Sequence, residues 1–121
     1  MGVQFEQREG YLLANISGDY TTQDYRNDHS DILRKLIEAP TRVILTLHGI
    51  SGIDIHGLSG IETLCWEVAR DLEQGIRLAS PGEAVARFLR RVRFNLPVYE
   101  TVDKAYESFE DDDCLDDLFR K

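Results

Sequence analysis

The run from Val43 to Leu47 is β-branched and almost continuously apolar, and it narrows the choice of fold more than any other segment. Strands of this composition are typical of a sheet whose two faces are both covered. Four glycines then predict a tight turn: Gly49, Gly52, Gly57 and Gly60. A helix ending at Gly75 is expected next, and its apolar face comprises Leu58, Ile61, Leu64, Cys65, Val68 and Leu72. A buried strand, a turn and a helix in direct succession predict an α/β domain.

The flanking segments predict the rest of that domain. Alternation in residues 3–7 and 11–16 around Gly10 indicates an opening hairpin. A first helix of about four turns is expected before Pro40, with Thr21 or Thr22 as its N-cap. Its apolar positions are Tyr25, Ile32, Leu33, Leu36 and Ile37. Strands are expected at 76–80 and 97–99, a third helix through Val85, Phe88, Leu89 and Val92, and a last helix at 102–109. The expected fold is a mixed sheet of about four or five strands with an opening hairpin and about four flanking helices.

Length and charge limit the domain count and the classes of partner. The 121 residues suffice for one core, so residues 1–109 are expected to form one domain and residues 110–121 an acidic tail. Of the net charge of -8, much lies at the end, because residues 107–121 hold seven acids and two bases and leave 15 acids and 12 bases for the rest. This charge argues against a nucleic-acid partner and against binding to an anionic membrane.

The sequence also bears on the compartment. No apolar run approaches the roughly 20 residues that cross a bilayer, and the first residues lack the pattern of a secretion signal. We therefore expect no membrane insertion and a cytoplasmic protein. Cys65, on an apolar helix face, and Cys114, in the acidic tail, are an improbable disulfide pair and are expected to be free thiols.

Residues 49–60 are the expected site, because ligands and partners of open α/β sheets bind beyond the carboxyl ends of the strands. Asp54 can cap the following helix, and Gly57 permits a backbone conformation that most residues avoid. His56 and Ser59 should point outward near the positive end of the helix dipole. For Asp54 the alternative is a plain cap without a further role, and for His56 an exposed histidine without a contact.

The residue types present do not favour catalysis, a metal or a cofactor. Asp54 and His56 are accompanied by no nucleophile motif and no phosphate-binding loop, so no enzymatic activity is expected. His29, His48 and His56 lie on separate elements and form no metal-ligand pattern.

Three further features have two interpretations each. Trp66, on the polar flank of the second helix, is either a partner contact or a cover for the edge of the sheet. Four arginines of the third helix either bind phosphate or the chain's own acidic tail, or form a solvated face: Arg87, Arg90, Arg91 and Arg93. The tail is either a solubilising segment or docks through Leu115, Leu118 and Phe119 as a short amphipathic turn.

The run from Val43 to Leu58 resembles the signature of the STAS domain, in which a strand is followed by glycine and then by Asp-Ser-Ser-Gly-Leu or Asp-Ser-Thr-Gly-Leu opening a helix. The resemblance extends through residues 75–78 and 85–89 and the phrase Leu96-Pro97-Val98-Tyr99, nearly the whole chain. The family comprises bacterial anti-sigma-factor antagonists and the cytoplasmic tails of sulfate-type anion transporters. The resemblance implies a mixed sheet flanked by helices and, in antagonists, a loop hydroxyl whose phosphorylation breaks a protein complex.

The chain departs from this pattern at the residues that matter for phosphorylation. His56 occupies the phosphoacceptor-equivalent position and Ile55 that of the serine before it, so both hydroxyls are missing. On the strand, Thr46 replaces the usual Asp and His48 the usual Ser. A displaced phosphoacceptor at Ser59 or Ser51 is left open.

The first functional hypothesis is a regulatory protein that binds an anti-sigma factor or a related serine-kinase-like ATPase without loop phosphorylation, and so regulates transcription. The expected partner-binding residues are Ser51, Asp54, Ile55, His56, Gly57, Leu58, Ser59, Glu62 and Trp66. The alternatives are a regulatory subunit of a transport system, docking on a permease or an ABC-type ATPase, and a sensor that binds a small ligand or nucleotide. A homodimer is left open.

Overall fold

The computed structural model describes residues 2–20 and 26–110. Five strands form one sheet, and they are β1 (Gly2–Arg8), β2 (Tyr11–Tyr20), β3 (Val43–Ile53), β4 (Ile76–Ala79) and β5 (Val98–Tyr99). The α-helices of the described residues are α1 (Arg26–Glu38), α2 (Ile55–Trp66), α3 (Glu83–Arg91) and α4 (Val102–Glu107). A π-helical turn at Glu67–Asp71 extends α2, and a 3-10 turn at Ser108–Glu110 extends α4.

The strands follow one another across the sheet in the order of the chain. β1 and β2 form an antiparallel hairpin, whereas β2, β3, β4 and β5 are parallel neighbours. The predicted mixed sheet with an opening hairpin and flanking helices is confirmed. Parallel pairing arises because each later strand is reached through a helix that returns the chain to the same end of the sheet.

Helices cover both faces of the sheet. The larger core joins inward residues of α1, α2 and α3 to alternate residues of the strands, such as Leu12, Leu45 and Leu78. The smaller core packs Ala105 of α4 against the other set of alternate residues, which includes Leu13. The apolar character of β3 thus has the predicted cause, since Leu45 and its neighbour Ile44 are both buried, each in a different core.

A buried arginine holds the end of α4 against the sheet. Arg77 of β4 is 1% exposed, and its Nε donates to Ser108 Oγ at 2.8 Å while its Nη1 donates to the carbonyl of Ile76 at 2.8 Å. Its guanidinium lies 4.4 Å from the ring centroid of Phe109, and that of Arg42 lies 5.1 Å from the same centroid. These contacts compensate part of the cost of burying a charge and attach the last helical turn to the domain.

The segment after Leu47 differs from its prediction. The glycine-rich stretch is not a turn, because β3 continues through Gly49 and Gly52 as far as Ile53, with Gly49 paired to Ser17 and Ile53 to Tyr20. A Cβ at Gly49 would lie 2.8 Å from the carbonyl oxygen of Ile16. Glycine is therefore required there by the neighbouring strand rather than by a turn.

The first helix is confirmed, but one residue of its apolar face is not. α1 ends at Glu38, two residues before Pro40, and buries Ile32 and Leu36. Ile37 was placed on the apolar face, yet it is 64% exposed. The capping threonines and Tyr25 lie outside the described residues.

The first turn of α2 packs unusually close to the end of β2. A Cβ at Gly57 would lie 1.7 Å from the carbonyl oxygen of Tyr20 and 2.9 Å from its Cβ. Gly57 does not use the unusual backbone conformation that a glycine permits, because among the glycines of the described residues only Gly10 and Gly18 have positive φ. Gly57 is helical, and the absence of a side chain there allows α2 to approach the backbone of Tyr20.

Cys65 lies on the buried face of α2 as a free thiol, as predicted, and burial raises the pKa of this thiol to about 12. Cys114 lies outside the described residues. Among the described helices, none combines the length and the apolar character that a membrane span requires.

Replacing Gly57 with Ala should destabilise the fold by about 2–3 kcal/mol, because the added methyl group must push α2 away from β2. Urea unfolding measures the difference. Gly2→Ala is the matched control, since a Cβ at Gly2 meets nothing within 4 Å. Equal stability of the two variants would contradict the close approach.

His29 of α1 should make stability depend on pH. Burial lowers the pKa of His29 from 6.5 to about 4, and its ring lies 6.0 Å from that of Tyr20. Between these pH values the unfolded chain binds a proton that the folded chain excludes, so stability falls as pH falls from 6.5 toward 4, by at most about 1.4 kcal/mol per unit. Denaturant unfolding across this range should show a shallower decline for His29→Gln than for the wild type. The exposed His48 is the control, and an equal change of slope in His48→Gln would count against this assignment.

Candidate functional site

Asp54 caps α2 in the predicted way. Its backbone is extended, and its Oδ1 accepts a hydrogen bond of 3.0 Å from the N–H of Gly57. Its carbonyl accepts the N–H of Leu58 at 3.0 Å, which is the first bond of the helix. An Asp in this position contributes about 1 kcal/mol and complements the helix dipole. The cap fixes the orientation of every side chain in the turn that follows.

The first turn of α2 divides its residues between the core and the solvent. Gly57 and Leu58 are buried, so they support the surface from beneath. Ile55 is 59% exposed, and His56 and Ser59 are exposed as predicted. The exposed set therefore combines an apolar, an imidazole and a hydroxyl side chain within one turn and a half.

The remaining predicted contact residues are spread along β3 and α2. Ser51 is exposed on β3, and Glu62 is half-buried one turn after Leu58. Trp66 is 39% exposed, with the guanidinium of Arg70 5.0 Å from its ring centroid. Trp66 lies eleven positions after Ile55, which corresponds to a rise of about 16 Å along the helix axis. The structure thus places Trp66 at the other end of α2, apart from the exposed first turn.

A cavity of about 290 Å³ lies beside the first turn of α2. Ile55, Leu58, Ser59 and Glu62 line it from α2. Its other wall is a segment that sequence reasoning did not assign to the site, and this wall comprises Val92, Arg93, Phe94 and Asn95. The signal for it was weak, because Val92 fits the apolar stripe of α3 and Phe94 follows in a segment without periodicity.

The backbone that carries this second wall is held in a tight helix ending. The N–H of Phe94 donates to the carbonyl of Leu89 at 3.1 Å, and that of Arg93 to the carbonyl of Arg90 at 3.3 Å. This pair of bonds is the Schellman motif, in which glycine usually occupies the left-handed position. Here Arg93 occupies it with a φ of 55°, a conformation that costs a non-glycine residue about 1 kcal/mol.

A second groove continues from this wall along α3 to the edge strand. This α3–β5 groove has a volume of about 370 Å³, and Leu89, Phe94, Leu96 and Val98 form its apolar floor. Arg90 and Arg93 also line it. Arg93 and Phe94 belong to the lining of both cavities, so the two cavities are adjacent.

A third cavity, of about 410 Å³, lies between α1 and α2. His29 and Ser30 line it from α1, and Ser59, Thr63 and Glu67 line it from α2. Ser59 therefore faces two depressions, and the hydroxyl of the neighbouring Thr63 donates to its carbonyl at 3.0 Å.

The titratable side chains are dispersed rather than clustered. His29, His48 and His56 lie on α1, β3 and α2. Among the side chains that the structure describes, no three His, Cys, Asp or Glu residues come together in a way that could hold a metal ion. The buried Cys65 thiol stays protonated at neutral pH because burial raises its pKa to about 12.

The two strand positions at which the chain departs from the STAS pattern have different surroundings. Thr46 is buried, and its hydroxyl donates to Asn15 Oδ1 at 2.7 Å across the β2–β3 pair. His48 is exposed on the same strand. Thr46 is thus a structural residue that ties two strands together.

Comparison with known structures finds the same fold in proteins of low sequence identity. A protein of Thermotoga maritima assigned as an anti-sigma factor antagonist superimposes with a TM-score of 0.72 at 16% identity, covering 89% of this chain and 94% of the other. The unphosphorylated form of the anti-sigma factor antagonist SpoIIAA gives 0.63 at 18%, covering 89% and 96%. A serine-to-glutamate variant of RsbS from Moorella thermoacetica gives 0.62 at 15%, covering 89% and 94%.

The sequence itself matches at the level of the family. No curated protein sequence matches the chain significantly. The family model of the STAS domain matches residues 3–105 of the 121, from the first strand into α4. Together with the order of the elements and the capped start of α2, this match shows that the chain belongs to the STAS domain family.

Proposed function

We propose that this STAS domain is a non-enzymatic regulator that binds a protein partner through the first turn of α2 and the adjoining segment 92–95. The proposed partner is an anti-sigma factor or a related kinase-like ATPase, and the proposed setting is transcription control in the bacterial cytoplasm. Two of the structural neighbours are described as anti-sigma factor antagonists, which supports this choice of partner.

The exposure of Ile55 is the observation that carries the proposal. Among the described residues, the large apolar side chains that are exposed are Ile37, Ile55 and Trp66. Of these three, Ile55 is the one that lines one of the cavities described above, where Val92 and Phe94 belong to the same lining. An exposed apolar side chain beside a depression of mixed apolar and polar lining, next to the exposed His56 and Ser59, has the composition of a protein-binding site.

The same turn supports control by occupancy rather than by phosphorylation. In the family pattern the positions of Ile55 and His56 carry hydroxyls, and a phosphate there adds a charge of about -1.5 to -2 to a close interface. An isoleucine and a histidine cannot be phosphorylated by a serine kinase. Binding would then be set by the concentrations of the two proteins.

Replacing Ile55 with Asp should weaken partner binding at least about tenfold, because a carboxylate would be buried against Val92 and Phe94. Affinity capture from a native lysate of the source cells, with mass spectrometry, identifies the partner, and calorimetry with the purified partner then measures the affinity.

Ile37→Asp is the matched control. Ile37 is 64% exposed against 59% for Ile55, but it lies in the last turn of α1. The control should bind as the wild type does. Equal affinities of the two variants would place the interface elsewhere, and capture of no kinase-like ATPase would contradict the proposed partner class.

Incubation with the identified kinase-like partner and ATP should leave the chain without phosphate, as read by intact-mass spectrometry. Ser59 and Ser51 are the exposed hydroxyl residues nearest in the sequence to Ile55 and His56, where the acceptors are missing. Phosphate on either of them, lost in the corresponding Ser→Ala variant, would show that the acceptor is displaced and that occupancy is not the only control.

A further inference from the structure

The α3–β5 groove combines an apolar floor with a basic rim. Leu89, Phe94 and Leu96 form part of the floor, and Arg90 and Arg93 stand at the rim. This groove continues past the end of α3, outside the turn of α2 at which the partner is proposed to bind. A ligand of the groove should therefore present apolar side chains together with negative charge.

The positive charge of α3 is not neutralised within the described part of the chain. Arg87, Arg90, Arg91 and Arg93 are all exposed, and no carboxylate among the described side chains of residues 2–20 and 29–109 lies within 4 Å of their guanidinium groups. Glu100, at the far end of the groove, is paired with Lys104 at 3.1 Å. Glu62 and Arg93 both line the neighbouring cavity.

Arg93 occupies the left-handed position at the end of α3, although glycine is the residue usually found there. Its φ of 55° is one that glycine adopts at little cost. A strained residue is a reason to look for a role of its side chain. The position of Arg93 between the two depressions gives it access to a ligand in either of them.

The end of the chain has the complementary chemistry. Residues 111–121 contain five aspartates, and they are Asp111, Asp112, Asp113, Asp116 and Asp117. Between and after these acids lie Leu115, Leu118 and Phe119, at a spacing that places three apolar side chains on one side of a helical turn. No eleven-residue segment that ends before Asp111 joins as many acids to large apolar residues.

The length of this segment is sufficient to reach the groove. Glu100, which lines the groove, is followed directly by α4 and its 3-10 extension, so Glu110 lies about 15 Å from it along the helix. The five residues from Glu110 to Leu115 can span up to about 17 Å, and the nine to Phe119 up to about 30 Å. The segment can therefore turn back past β5, which is the edge strand of the sheet.

We propose that the acidic segment Asp111–Phe119 docks in the α3–β5 groove of its own chain. Leu115, Leu118 and Phe119 contact the apolar floor, and the aspartates lie against Arg90 and Arg93. This inference goes beyond the proposed function and does not depend on it. If the proposed function also holds, the segment and the partner compete for Arg93 and Phe94.

A nitroxide on Cys114 tests the docking in the full-length chain. Cys65 is buried and the pKa of its thiol is raised to about 12, so a methanethiosulfonate reagent reacts at Cys114. Paramagnetic broadening of backbone amides is then measured by NMR. A docked segment broadens Leu89, Phe94 and Leu96 more strongly than residues beside the root of the segment, such as Arg42.

Two variants with matched controls identify the contacts. Arg90→Glu should weaken the docking about tenfold and return the broadening toward Arg42, whereas Arg91→Glu, with the same charge change outside the groove lining, should not. Arg93→Gly should weaken docking while the melting temperature stays equal or rises, because glycine relieves the left-handed backbone. Glu73→Gly, at the other end of the sheet from the groove lining and with a φ of 54°, controls for that relief.

The outcomes that overturn the proposal are distinct. Broadening centred on Arg42, or unaffected by Arg90→Glu, shows that the segment does not dock in the groove. Broadening of ¹⁵N-labelled chains that appears only on mixing with nitroxide-labelled ¹⁴N chains shows that a second copy supplies the segment. None of these results bears on whether Ile55 contacts a partner.

Discussion

The first turn of α2 crosses the end of β2 in close backbone contact. No side chain fits between the carbonyl of Tyr20 and the backbone at Gly57. With Gly57 and Leu58 directed inward, the period of the helix directs Ile55, His56 and Ser59 outward. The Asp54 cap fixes Ile55 as the first residue of the helix, and this start places the inward and outward residues as described. The composition of the surface thus follows from a packing constraint beneath it.

The sequence predicted most of the fold, because apolar periodicity reports which faces are buried. It also predicted the Asp54 cap and the exposed His56, because both depend on residues that are close in the chain. It failed at Gly49 and Gly57, where the need for glycine comes from Ile16 and Tyr20, far away in sequence. It also missed the wall formed by residues 92–95, because this wall exists only through the apposition of the end of α3 to the start of α2. The exposure of Ile37 shows a further limit: an apolar residue at helical spacing need not be covered.

The helices on the two faces of the sheet are attached to it by different kinds of contact. On the face covered by three helices, aliphatic packing dominates, and this face carries the candidate site. On the other face, α4 is attached through polar and aromatic contacts, with Arg77 bonded to Ser108 and stacked near Phe109. Ser108 Oγ in turn donates to the carbonyl of Ala105 at 2.6 Å, so the arginine is linked to the helix backbone through one hydroxyl. The strand position of Arg77 was predicted, but an alternating pattern does not reveal that a charged side chain is buried.

The unequal lengths of β3 and β4 have a mechanical consequence. β4 pairs with β3 only at residues 43–46, whereas β2 accompanies β3 as far as Ile53. The end of β3 that leads into α2 is therefore part of a two-stranded ribbon, and this ribbon contains two register shifts in its pairing with β2. Ribbons of two strands twist and bend more readily than the middle of a sheet. A load applied at the start of α2 would therefore flex this ribbon before it disturbed the four-residue strand β4.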